Sequence, residues 1–340
     1  MTIPSDHRPT LTGQQTWATA ETARNLVPTR DFGAHKWGVG GVIVVAGSPS
    51  YPGAALLTSR AAGRAGAGIV QLASGRGVIA TVAASIPEVA HIPLPETDAP
   101  GAARRALERI EEHLEKTSAI LIGPGLGRDN AASELLSALF ALGSKRESER
   151  RNIGFSSLAA TESDEPKGST SPLFDHEKLT IVVDADALNW LSDQGEWWKA
   201  MPAGRLLLTP HVGEFSKLTG KSVDEIIADP LDELEAAARL WQQTVILKYG
   251  FTAVSDGTRT IVAEDAPLSL ATAGSGDVLA GTIAGFAGQG LNAIDAATLA
   301  LHVGPAAARL VEKRFGTLGL IASDLPDAIA ESLAALSSNA

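Results

Sequence analysis

Short, fully apolar segments recur along this chain at spacings that leave room for a helix between most of them. Gly41–Gly47 (GVIVVAG), Ile69–Ala73, Ala119–Ile122, Thr180–Val183, Leu206–Leu208 and Val245–Leu247 show little alternation of apolar and polar residues. A strand that is apolar at nearly every position is covered on both faces, which calls for a mostly parallel sheet with helices above and below it. Ala54–Ala67, rich in Ala and Leu, reads as a helix lying close on such a sheet, and Arg104–Lys116 as a helix with polar and apolar sides. The expected organisation is a polar arm over residues 1–35, with a short helix near Gln14–Asn25, then a single α/β domain over residues 36–336. Residues 143–178 break the rhythm with a charge run and a Ser-, Pro- and Gly-rich stretch, and read as a mobile surface insertion.

The segment with most chemical content is Ala271-Thr272-Ala273-Gly274-Ser275-Gly276-Asp277, followed at once by the apolar, glycine-containing run Val278–Gly285. Two glycines allow a tight turn that aims several N–H groups at one point, and a helix start adds free amides and the positive end of a dipole. Such a loop holds an anion, above all phosphate. An aspartate beside it can orient or deprotonate a hydroxyl attacking that phosphate. Equally, Asp277 can be read as no more than a helix cap behind a glycine turn.

Composition narrows the field. The chain has 340 residues, a formal charge of −11 and no cysteine. That acidity argues against general nucleic-acid binding, so an anionic ligand needs a local site of amides and a few Lys or Arg. Without cysteine there are no disulfides, thiolate metal sites or Cys nucleophiles, which suits a cytoplasmic setting. Residues 1–12 lack the apolar core of a signal peptide, and no long apolar run suggests a membrane span. No G-x-x-x-x-G-K-[ST] occurs, and Leu279 stands where a third glycine would complete a dinucleotide fingerprint after Gly274 and Gly276. H-E-x-x-H is absent, as is a G-x-S-x-G elbow between a strand and a helix.

Polar and glycine-rich segments follow the expected strands, at the end where open α/β sheets bind ligands. Gly123-Pro124-Gly125-Leu126-Gly127 either admits a ligand close to the backbone or simply turns tightly. Asp184 and Asp186 could hold a ligand hydroxyl or a metal-bound water, or cap a helix. His211, between Pro210 and Gly213 at a strand exit, is poorly placed for a core histidine and well placed for a ligand, with Glu214 able to cap the helix that follows. Lys248 at a strand end could offset phosphate charge or lie on the surface.

Together these segments resemble the ADP- or ATP-dependent NAD(P)H-hydrate dehydratases of the ribokinase-like superfamily. The ordered matches are His35-Lys36, Val42–Ser48, Tyr51-Pro52-Gly53-Ala54-Ala55, Arg64–Gly68, Gly123–Gly127, Asp184–Asn189, Leu208–Glu214, Leu247-Lys248, Ala271–Gly281, His302 and Ile321–Leu325. They span roughly residues 30 to 336 apart from the insertion. Trp37, Val212 and Tyr249 stand where the family usually has Gly, Pro and Gly. The resemblance implies a three-layer sandwich and, at this length, a dehydratase without the fused epimerase domain that many members carry. It implies that ADP or ATP, with Mg2+, phosphorylates the ring hydroxyl of the S-epimer of hydrated NADH or NADPH (NADHX or NADPHX). Phosphate then leaves and the reduced cofactor is restored. Phosphate is a good leaving group and hydroxide a poor one.

Residue roles carry over on the same basis. Asp277 would orient or deprotonate the hydroxyl. An aspartate at a helix N-terminus is a weak base, but a loose phosphoryl-transfer transition state depends more on positioning than on base strength. The amides of Gly274, Ser275 and Gly276 would hold the migrating phosphoryl group. Lys248, Tyr249, Gly250, Phe251, Thr252 and Gly276 would contact the nucleotide. Ala54, Gly125, His211 and Asp277 would contact the hydrate. No metal ligand is assigned. ADP is the expected donor, giving AMP, and a homotetramer is expected by analogy. Two alternatives stay open: a small-molecule kinase of the same superfamily, acting on a sugar, a vitamin B6 or hydroxymethylpyrimidine compound or a thiazole alcohol, and a nucleotide-binding protein without catalysis.

Overall fold

The structure, a computed structural model, describes residues 9–96, 99–142 and 171–338. Most of the expected insertion and the first residues of the arm lie outside this set. Ten strands form one sheet among the described residues. They are β1 (Gln15–Ala18), β2 (Gly41–Val45), β3 (Ile69–Ser74), β4 (Ala90–Pro93), β5 (Ala119–Ile122), β6 (Thr180–Val183), β7 (Leu206–Leu208), β8 (Thr244–Tyr249), β9 (Phe251–Ser255) and β10 (Thr260–Ala263). The order across the sheet is β1-β10-β9-β8-β7-β6-β5-β2-β3-β4. From β8 to β4 all neighbours are parallel, and β9 runs antiparallel to both β8 and β10.

Every strand the apolar runs suggested is present, and the reason is visible in the core. Successive residues of one strand feed opposite layers: Val42 and Val44 pack with one set of helices, Ile43 and Val45 with the other. The first layer holds helices Pro52–Arg64, Ser275–Gly288 and Ala293–Phe315. The second holds Ala102–Leu114, Asn130–Phe140 and Pro230–Trp241. This is the three-layer α/β sandwich that the sequence pattern calls for.

Two local expectations need correction. The residues from Gln15 to Ala18 are not helical but form edge strand β1, paired parallel with β10. The helix begins only at Ala20, where the Thr19 side chain accepts from the Thr22 amide and caps it. The end of the expected insertion is also tied down. Ser171 and Leu173 are buried, and the Arg205 guanidinium donates to the carbonyls of Phe174, Leu173 and His176.

Strand order sets the position of the site. The chain leaves β2 for β3 and β4 on one side, then crosses back to place β5 on the other. The carboxyl ends of β2 and β5 therefore diverge into a crevice. The helix Ser275–Gly288 crosses behind it, buried along most of its length. A Cβ on Gly281 would lie 2.3 Å from the Thr58 carbonyl oxygen, and one on Gly285 2.6 Å from that of Ala62. These glycines allow the helix to press against Pro52–Arg64 backbone to backbone. Among the described residues no helix is long and apolar enough to cross a membrane.

Gly281→Val should therefore destabilise the fold by about 1–3 kcal/mol through overpacking. Gly304→Ala, in a helix with open space around it, should be neutral or stabilise by up to about 1 kcal/mol. Urea midpoints of the two variants against the parent check the contrast.

Candidate active site

Gly274, at φ 89°, is the residue from which helix Ser275–Gly288 starts. The left-handed backbone there turns the chain into the first helical turn, where the Ser275 amide donates to the Thr272 carbonyl at 3.3 Å. The Ser275 hydroxyl donates to the carbonyls of Leu270 and Thr272 and closes the loop from behind. Asp277 lies in the first turn.

Two cavities meet at this turn. One, about 530 Å³, is lined by Lys248, Tyr249, Gly250, Phe251, Thr252 and Gly276, with Ser275 and His211 also on its wall. Every residue expected to contact a nucleotide thus lies in one hollow. The other, about 460 Å³, is lined by Ala54, Gly125 and Asp277 together with Tyr51, Arg128 and Asp186. Three of the residues expected to contact the hydrate meet here. His211 does not join them and sits on the first cavity's wall.

The glycines of the loop after β5 are there for close approach. At φ 128°, Gly123 lies so near β6 that a Cβ would come within 1.9 Å of the Asp184 carbonyl oxygen. At φ 62°, Gly125 packs against Ala54 and Tyr51, with a Cβ reaching 2.8 Å from both side chains. Any side chain at Gly125 would fill the space where Ala54 and Gly125 expose the cavity floor.

Charge is organised around Lys248. Its Nζ lies 3.1 Å from Asp184 Oδ1, a carboxylate that also accepts from the Thr209 hydroxyl at 2.6 Å. The same Nζ is 3.5 Å from where a Gly276 Cβ would sit, so the ammonium lies beside the Gly274–Asp277 turn. Asp184 is buried and held by these partners, and neither it nor Asp186 caps a helix. Asp186 instead accepts from the Gly127 amide at 2.9 Å and from Arg128 Nε at 3.4 Å. Ala185 between them adopts φ 51°, ψ −117°, a costly conformation for a residue with a Cβ.

Asp277 is a stronger base than its helix position suggests. Burial pushes its pKa up to about 6, with the charge of Asp184 adding to the rise and Lys248 opposing it. Desolvation here outweighs the favourable helix N-terminus. His211 has a structural duty as well as a place on the cavity wall. Its Nδ1 accepts from the Gly213 and Glu214 amides, and Glu214 accepts in turn from the His211 amide. This capping box, with burial and then Lys248 lowering the His211 pKa, keeps the ring neutral with Nε2–H as its donor.

Among the described residues no group of three or more His, Cys, Asp or Glu side chains could hold a metal ion alone. A Mg2+ carried in on nucleotide phosphates fits this, since that ion keeps several waters and needs only one or two protein carboxylates.

Some of the site was not legible in advance. The apolar wall of the first cavity comes from Leu268, Leu270, Leu279, Leu325 and Ile329. Leu279 and Leu325 fall within the matched segments, but Leu268, Leu270 and Ile329 lie outside them, in stretches that only the fold joins to the site. Tyr51 opens the Tyr51–Ala55 match, and Arg128 follows Gly123–Gly127 without a signal of its own.

The described site is thus two adjoining cavities with a glycine turn and a carboxylate at their junction, carried on a three-layer α/β sandwich. Comparison with known proteins narrows this. The family model described as NAD(P)H-hydrate dehydratase matches residues 42–145 and 168–331, and the chain belongs to that family. It is 35% identical over 311 residues to the bifunctional NAD(P)H-hydrate repair enzyme of Moorella thermoacetica, covering 91% of this chain and 52% of that one. The chain thus spans about half the length of such bifunctional relatives. It is 31% identical over 319 residues to the ADP-dependent (S)-NAD(P)H-hydrate dehydratase of Xanthomonas campestris, covering 93% and 96% of the two chains. The fold matches the Bacillus subtilis ADP/ATP-dependent NAD(P)H-hydrate dehydratase co-crystallized with ATP/Mg2+, with a TM-score of 0.70, 23% identity and coverage of 94% and 98%. It also matches a ribokinase-like superfamily protein from Enterococcus faecalis, with a TM-score of 0.75, 18% identity and coverage of 97% and 99%.

The raised pKa of Asp277 has a consequence for stability. Between the ordinary aspartate value of 3.8 and about 6, the folded chain holds a proton that the unfolded chain has lost. Stability on this account falls as pH rises through that window. Asp277→Asn should be more stable than the parent at pH above about 6, by on the order of 1–3 kcal/mol. The gap should close below the ordinary aspartate pKa, and denaturant unfolding at several pH values measures it.

Proposed function

We propose that this chain dehydrates the S-epimer of NAD(P)H hydrate at the expense of a nucleotide, with ADP as donor and AMP and phosphate as products. The observation that carries the reading is the boundary at residues 274–277. Ser275 and Gly276 line the nucleotide-sized cavity and Asp277 lines the other. A phosphoryl group passing from one hollow to the other crosses the amides that start the helix.

Each residue then has a physical task. Leu268, Leu270 and Ile329 offer an apolar wall to a nucleobase. Lys248, held by Asp184, and the amides of Gly274 and Gly276 stabilise the negative oxygens of the migrating group, while the Ser275 amide and hydroxyl brace the loop through the Thr272 carbonyl. Mg2+ bound to the nucleotide supplies further neutralisation of phosphate charge. Ala54 and Gly125 give a flat floor on which a nicotinamide-derived ring can lie. Asp277 takes the proton of the ring hydroxyl as its oxygen bonds to phosphorus and AMP leaves. A base whose pKa is about 6 is ionised at neutral pH and is a better acceptor than an ordinary aspartate. The phosphorylated ring then loses phosphate and regains its double bond.

A superfamily kinase would release a stable phosphorylated alcohol, whereas this reaction releases free phosphate and regenerates reduced nicotinamide. The test supplies NADHX, Mg2+ and ADP and follows reduced-nicotinamide absorbance together with free phosphate. Asp277→Asn should lower turnover by at least about 10²-fold while both ligands still bind. For the parent enzyme, kcat/KM should fall as pH drops below about 6, where Asp277 becomes protonated. A flat profile through that range, or full turnover by the variant, would sink the assignment.

A further inference from the structure

Dehydration of the ring requires two proton removals, and the proposed mechanism gives Asp277 only the first. Once Asp277 has taken the hydroxyl proton, it is no longer a base. The second proton sits on the ring carbon next to the one that carries phosphate. As the carbon–oxygen bond breaks, its electron pair leaves with phosphate and positive charge spreads over that carbon and the ring nitrogen. The electron pair of the neighbouring C–H bond then becomes the new carbon–carbon double bond. A group must stabilise the positive charge and receive that proton.

The reaction cavity holds a second carboxylate. Asp186 and Asp277 both line it, close enough that the charge of Asp186 contributes to the raised pKa of Asp277. Asp186 comes from a different element, the start of helix Asp186–Ser192 after β6. Its orientation is fixed from both sides: Oδ2 by the Gly127 amide at 2.9 Å, Oδ1 by Arg128 Nε at 3.4 Å. The side chain is 18% exposed, open enough to pass a proton on to water. It does not cap its own helix, whose N-cap Ala185 sits at φ 51° with no side-chain cap bond. A strained backbone beside a cavity carboxylate is the kind of cost that a site retains for geometry.

We propose that Asp186 is the second base, accepting the proton from the ring carbon adjacent to the phosphorylated one while phosphate departs. Its negative charge opposes the positive charge that builds on the ring as the bond to phosphate breaks. The step balances: one C–O bond and one C–H bond break, one C=C bond forms, phosphate carries away one electron pair and Asp186 gains the proton. No oxidant or further reactant is required. The inference rests on the proposed dehydratase reaction, since it assigns the second half of that reaction.

Rapid-quench measurement of AMP and reduced nicotinamide in the same samples tests it, using NADHX, ADP and Mg2+. The parent should produce the two in step. Asp186→Asn should still form AMP within about threefold of the parent rate, whereas reduced nicotinamide should lag by about 10²-fold or more, with phosphorylated hydrate accumulating between. Asp186→Glu, which keeps the carboxylate, should restore part of the second phase. Deuterium on the ring carbon that loses its proton should slow the second phase and leave AMP formation unchanged. AMP and reduced nicotinamide appearing in step in Asp186→Asn overturns the inference. So does equal loss of both products in Asp186→Asn and Asp186→Glu, which gives Asp186 a purely structural role. A parent that forms no AMP with hydrate present overturns the underlying reading instead, a separate and recognisable result.

Discussion

The structure depends first on two helices lying against each other with almost no side chain between them. Gly281 and Gly285 let Ser275–Gly288 settle onto the backbone of Pro52–Arg64 at Thr58 and Ala62. That contact fixes where the anion loop emerges. Gly274 is wedged between Leu57 and Ala322, which a Cβ there would approach to 2.6 and 3.0 Å. A loop held this closely cannot rearrange its amides cheaply, so its dipoles are oriented before any ligand arrives. Preorganised dipoles of this kind stabilise developing charge without a reorganisation cost. The same helix pair brings Ala54, in the first turn of one helix, opposite Asp277, in the first turn of the other. Packing thus sets the width of the cavity that Ala54 and Asp277 line.

The electrostatics answer a problem posed by composition. A chain of net charge −11 would present a repulsive field to the anionic substrates of the proposed reaction. On that proposal, short-range devices at the site meet this. Lys248 is only 20% exposed, so its charge is less screened than that of a surface lysine. Asp184 holds it in place from behind, where the carboxylate is anchored by Thr209. That anchoring has a second effect, because the Asp184 charge helps raise the Asp277 pKa. On the proposed function, one buried carboxylate would thereby position a cation for phosphate and strengthen a neighbouring base. Keeping Asp277 ionised and buried lowers stability at neutral pH, an exchange expected where a carboxylate serves catalysis.

What the sequence could disclose follows from how local each signal is. Continuous apolar runs such as Val42–Val45 and Ile181–Val183 reported burial on both faces, so strand positions and the sandwich were readable. The Gly274–Asp277 turn was readable because its meaning is conformational and lies within four residues. Gln15–Ala18 was misread because a four-residue edge strand draws its stability from pairing with β10, far away in sequence. The Asp277 pKa went the other way for a related reason. The helix N-terminus is visible in the sequence, but the burial and the Asp184 charge that override it are contributed by other segments. His211 reads from sequence as a ligand contact rather than a core histidine; its Nδ1 accepts from the helix it caps, and its Nε2 lies 3.6 Å from Glu214 Oε2, contacts that the sequence does not announce.

On the proposed reaction, the feature that separates a repair enzyme from a superfamily kinase is what happens after phosphoryl transfer. A kinase site is served by a surrounding that tolerates a phosphorylated alcohol long enough to release it intact. Here the phosphorylated ring would sit in a cavity walled by the carboxylates of Asp186 and Asp277. Negative charge arriving on the ring oxygen is disfavoured beside the Asp186 carboxylate. Breaking the carbon–oxygen bond relieves that condition. The dianion becomes free to leave, and the ring becomes cationic where Asp186 stands. The same charge that makes the intermediate costly makes the transition state for its collapse favourable, so binding energy is directed at elimination rather than at holding the phosphorylated product.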